Sequence, residues 1–86
     1  MNRNKPDPFG EESSRLKVHQ LEENKRYKFY TIDNRIFDAV FERIIGDTLI
    51  VKNYVSGKVK DGPIAIRMFQ TNCIDYVVSE QLNFPF

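Results

Sequence analysis

The run IFDAVFERII, residues 36–45, alternates so that Phe37, Ala39 and Phe41 fall on one face while Asp38 and Glu42 fall on the other. Period two is the mark of a strand with one buried face; a helix would scatter the same rings around its axis. Ten residues is long for a strand, so it is expected to bend sharply. Four further runs have the same character: RYKFYTI, TLIVKNY, IAIRMFQ and IDYVV, all rich in the aromatic and β-branched side chains that fit a pleated surface. Turn chemistry separates them. Asp33 and Asn34 tolerate left-handed backbone, Gly46 and Asp47 break the second gap, SGKVKDGP fills the third and TNC the fourth. Five strands so closely spaced satisfy their edges by curling, so the expected fold is all-β, a five-stranded, strongly bent antiparallel small barrel.

The flanks read differently. Residues 1–14 are polar, carry Pro6, Pro8 and Gly10, and show neither period, as in a mobile arm. In SSRLKVHQLEEN, Leu16, Val18 and Leu21 partly fit a helical stripe, while Leu16, Val18 and Gln20 fit a strand; a short helical lead-in is the preferred reading. The domain is thus expected over residues 15–79, followed by a tail over 80–86. In that tail Pro85 lies between Phe84 and Phe86, apolar rings that need a surface, either on the barrel or on a partner.

Composition narrows the function classes. A chain of 86 residues is one domain. Its net charge of +1 provides no global field toward nucleic acid or an anionic membrane, so any such binding must be local. The single cysteine, Cys73, excludes an intrachain disulfide and a multi-cysteine zinc site, and fits a reducing compartment. With no long apolar run and no signal-like start, an intracellular protein without membrane contact is expected.

SGKVKDGP is the one stretch that invites comparison with a phosphate loop. Its glycines do not have the GxxxxGK[ST] spacing, and a strand-like run rather than a helix follows, so no helix N-terminus waits for an anion. The plainer reading is a connection of about eight residues, with Gly57 and Gly62 providing permissive backbone and Pro63 opening the fourth strand. Lys52, Lys58, Lys60 and Arg67 can still gather near its base with Tyr54, combining cations for phosphates with a ring for stacking; Asp61 dilutes that patch.

Catalysis finds little support. His19 is the only histidine and has no nucleophile nearby in sequence; Cys73 has no adjacent cation to activate it and is expected to be a small buried apolar residue. Asp38 and Glu42 are about 13 Å apart along a strand, too far to act on one bond, and read as solvent face. The other carboxylates lack the spacing of a calcium loop, so neither metal nor cofactor is expected. Among the tyrosines, Tyr30, Tyr54 and Tyr76 are the candidates for an exposed aromatic cage for a methylated cation.

The segment TIDNRIFDAVF, with Asp33, Asn34, Arg35, Phe37, Ala39 and Phe41, resembles the Sm-like small barrels, within the Src-homology-3-like and Tudor-like class. In that family a turn is followed by Arg, an apolar residue, a small residue and another large apolar one. TNCIDYVV resembles its last segment. The resemblance covers 27–78 and implies a non-enzymatic binding module. Two motifs depart from it: IIGDTLIV lacks the Asn of the RNA-contacting turn, and Gln70 and Thr71 stand where the family has Arg-Gly. The first expectation is association with RNA or another nucleic acid through Asn34, Arg35, Lys52, Tyr54, Lys58, Lys60, Arg67 and Asn72. The alternative is a protein-interaction or structural subunit, including a homo-oligomer, that uses strand addition at the fourth and fifth strands together with Phe84 and Phe86.

Overall fold

The computed structural model describes residues 15–80, so the expected arm and the tail with Phe84 and Phe86 lie outside the described residues. The chain forms β1 (Arg15–Leu16), a 3₁₀ turn (Val18–Gln20), β2 (Arg26–Thr31), β3 (Ile36–Ile45), β4 (Thr48–Ser56), β5 (Val59–Lys60), β6 (Ile66–Gln70), a second 3₁₀ turn (Thr71–Cys73) and β7 (Ile74–Ser79). All pairings are antiparallel, in the order β1-β7-β2-β3-β4-β5, with β6 also on β4.

The five long strands are those the alternation predicts, and the core is made by their inward residues. Tyr27 and Phe29 of β2, Phe37, Ala39 and Phe41 of β3, Leu49 and Val51 of β4, and Ile74 and Val77 of β7 are buried, joined by Val18. The Phe37 ring stacks on Phe29 at 4.8 Å and on Phe69 at 4.6 Å, so it ties β2 and β6, which are not neighbours in the sheet, into one core. Register shifts at Ala39, between Asp38 and Val40, and at Glu42, between Phe41 and Arg43, interrupt the ladder in the middle of β3.

The turns follow their chemistry. Asn34 has φ 68° in the link from β2 to β3; Gly46 (φ 61°) and Gly57 (φ 58°) open the two-residue turns before Thr48 and Val59. Gly62 needs no such angle, and Pro63 sits in a turn three residues before β6 rather than at its start.

Three expectations need correction. The sheet is open, built of seven strands, and is not closed or strongly curled into a barrel. Closure requires a ladder between β6 and β7, but β1 covers β7 at Val77 and Val78, and the Thr71–Cys73 turn that joins them is bonded elsewhere: the Thr71 amide donates to the Asp47 carbonyl at 2.8 Å and the Cys73 carbonyl accepts from the Ile32 amide at 3.0 Å. There is no α-helix among the described residues. The helical lead-in is instead β1 and one 3₁₀ turn, in which the Lys17 amide donates to Gln20 Oε1 at 2.7 Å. Too few residues separate Leu16, which packs on the core, from the turn at Glu23–Asn24 for a helix to form. Cys73 is exposed: its 3₁₀ turn points it outward from the sheet.

Candidate functional site

The predicted site residues divide into three groups. Asn34 and Arg35 sit on the β2–β3 turn. That turn is bonded on one side to the Thr71–Cys73 turn, which carries Asn72, through Ile32. On the other side the Ser56 hydroxyl, at the base of the hairpin bearing Lys58, donates to the Ile36 carbonyl at 3.1 Å. Three loops thus meet at one end of the sheet, around an open hollow of about 390 Å³ floored by Phe37, Tyr54 and Phe69, with Arg35 and Cys73 at its rim.

The cations there are mostly engaged. Arg35 lies 3.4 Å from Asp33, whose carboxyl is held below its ordinary value chiefly by the Thr31 hydroxyl. Arg67 grips Asp61 through two bonds, at 2.7 and 3.2 Å, and lies 4.0 Å over the Tyr54 ring. That double bond lowers the Asp61 pKa and raises that of Arg67. One face of Tyr54 is therefore already taken by a cation. Lys52 is outside the group: it points to the opposite face of the sheet, 3.3 Å from both Glu42 and Asn24. Lys58 and Lys60 are exposed, and no carboxylate among the described residues pairs with them.

The tyrosines do not make a cage. Tyr30 and Tyr76 stack at 4.4 Å, nearly parallel, leaving no slot between them, and Arg15 lies 4.0 Å from the centroid of Tyr76. The outer face of the sheet carries ion pairs: Lys28 with Asp38 at 3.3 Å, beside Glu42 with Lys52. Glu80, at the end of β7, meets Asp38 across the sheet. Burial, then the hydrogen bond to Asp38 and its charge, push the Glu80 carboxyl up to about 7, against the pull of Lys28 and Arg26. Sequence reading placed Asp38 and Glu42 on the solvent face, too far apart to act together; the partner of Asp38 is two strands away, and no local spacing signals it.

No cluster of potential metal ligands occurs among the described residues. His19 is exposed on the first 3₁₀ turn and Cys73 is exposed on the second.

The feature that sequence reading underweighted is the edge formed by β6. One side of β6 pairs with β4, from Ile66 against Lys52 to Gln70 against Thr48; no strand pairs with its other side among the described residues. Its outward side chains, Ile66 (51% exposed) and Met68 (66%), continue into Ile64 (86%) to make an apolar stripe. The IAIRMFQ alternation held that signal. Its outward half, Ile64, Ile66 and Met68, is as apolar as its inward half, whereas a solvated edge alternates apolar with polar.

β5 and β6 lie on the same side of β4. Lys60 pairs with Val55, the Asp61 amide donates to the Tyr54 carbonyl at 2.8 Å, and the Asn53 amide donates to the Ala65 carbonyl at 3.3 Å, so both run along one line with Gly62–Ile64 looped out between them. The edge therefore has polarity: Lys58 and Lys60 at one end and, past Gln70, exposed Asp47, whose carbonyl accepts from the Thr71 amide at 2.8 Å. The edge of β7, expected as the second pairing surface, is half occupied, because β1 takes Val77 and Val78.

No protein-family model, curated protein or solved structure matches this chain.

Proposed function

We propose that this chain is a non-enzymatic protein-interaction module that receives an extended strand from a partner along the free side of β6. The observation that carries this reading is a five-residue edge, unpaired among the described residues, with exposed Ile66 and Met68 on its outer face. Main-chain donors and acceptors there provide affinity for any strand, and the apolar stripe selects which strand fits. Kinship with the Sm-like small barrels belongs to this proposal. It rests on the TIDNRIFDAVF segment and on the succession of five long strands with a very short turn before the last.

Nucleic-acid binding is the second reading, supported by the meeting of three loops at one end and by unpaired Lys58 and Lys60. It has less support, because Arg35, Lys52 and Arg67 are each held by a carboxylate and Tyr54 is covered. Affinity capture with the wild-type chain and with Met68→Lys as paired baits separates the readings. A set of proteins retained by the first bait and lost by the second is expected. If that set does not change, while single-stranded RNA binds with a steep salt dependence that Lys58→Ala/Lys60→Ala flattens, the nucleic-acid reading replaces it.

A further inference from the structure

We infer that the strand received by β6 is β6 of a second copy, paired antiparallel about a two-fold axis at Arg67; this rests on the strand-addition reading above.

The argument is one of self-complementarity. An isologous contact requires that the two ends of a surface match each other, since each end meets the opposite end of the partner. Arg67 is flanked evenly by Ile66 and Met68, both exposed and apolar, so β6 offers the same chemistry on either side of that residue. A two-fold axis at Arg67 therefore sets apolar side chains against apolar side chains at both flanks. The same register sets Ile66 against Met68 of the partner subunit twice, covering the apolar stripe. Arg67 faces its own copy on the axis, but each guanidinium keeps its two bonds to its own Asp61, so two neutral ion pairs meet rather than two bare charges.

A pairing of β6 with β7 of a neighbour, which would propagate into a ring, is obstructed, because β1 already occupies Val77 and Val78. The two-fold arrangement needs only the β6 edge and closes after two copies.

Sedimentation equilibrium of the full chain over a range of concentrations tests this, with circular dichroism to confirm that each variant keeps its strands. A monomer–dimer equilibrium is expected. Met68→Lys should weaken it about tenfold or more by setting a charge in the stripe. Ile66→Lys should weaken it to a similar degree, because the two-fold register sets Ile66 against Met68 of the partner subunit. A monomer at every concentration overturns the second-copy inference but leaves strand addition standing, to be judged by the paired baits. A dimer indifferent to Met68→Lys overturns the inference and locates the contact elsewhere. A dimer lost in Met68→Lys but indifferent to Ile66→Lys, or a species larger than a dimer, overturns the two-fold register.

Discussion

Two of the sheet's edge strands, β1 and β5, are two residues each and are bracketed by exposed Arg15 and Lys17 and by exposed Lys58 and Lys60; β6 is five residues, contains no lysine or proline, and turns Ile66 and Met68 outward. Shortness and lysine are two ways in which a sheet edge avoids pairing with other chains. Both devices appear at β1 and β5, and neither at β6, whose single charge, Arg67, is tied inward to Asp61. An edge left open beside two that are guarded is the place where a partner strand belongs. It is also where the cost of exposure is greatest, because an apolar stripe stays in water until it is covered.

The difference between the edges holds only while β6 is fixed to the core, and its anchor is Phe69 stacked on Phe37. Phe37→Ala removes the ring that joins Phe29, Tyr54 and Phe69, and should cost about 3–5 kcal/mol, enough to unfold much of a domain this size. Denaturant unfolding measures it; a loss under 1 kcal/mol would mean that β6 is held by β4 alone. Met68→Lys, by contrast, should leave monomer stability within about 0.5 kcal/mol, since the side chain is exposed, while removing association.

The third perturbation turns a guarded edge into an open one. Leu16→Pro deprives β1 of an amide and frees the edge of β7, so species larger than a dimer should appear in size-exclusion chromatography as β6 finds β7 of a neighbour. An unchanged elution profile would show that β1 is not what blocks that route.

The smallest expected effect concerns the outer face. Glu80 keeps its proton in the folded chain up to about pH 7 but loses it near 4.5 when unfolded, so the folded state binds more protons between those values. Stability must then fall as pH rises from 4.5 to 7. Glu80→Gln should flatten that slope and stabilise the chain above pH 7 by about 1 kcal/mol, reduced by the solvent that still reaches the group. Thermal melts at pH 5 and pH 8 check it: equal pH dependence in both proteins would mean that Asp38 and Glu80 do not share a proton.

What the sequence made legible was local. Alternation located five strands and the inward triad Phe37, Ala39 and Phe41; Asn34, Gly46 and Gly57 marked turns through their tolerance of positive φ. What it hid was non-local. Two residues, Arg15 and Leu16, are too few to show a period, so β1 was invisible until β7 lay beside it, and with it the reason that the sheet stays open. The bond from Arg67 to Asp61 spans a looped-out segment, and the contact of Asp38 with Glu80 crosses strands far apart in the chain, so neither leaves a spacing to read. Cys73 was misplaced for a related reason: with no adjacent cation to activate it, a small buried role was expected, but the 3₁₀ turn that carries it leaves it exposed.

Amide hydrogen exchange, followed residue by residue at low and at high protein concentration, tests most directly that β6 is the open edge where this chain associates. The outward amides of Ile66–Gln70 should gain protection as concentration rises, while those of Arg15–Leu16 and Val59–Lys60 stay unchanged. A gain at β1 or β5 with none at β6 would contradict the account, because the guarded edges would then be the ones that pair.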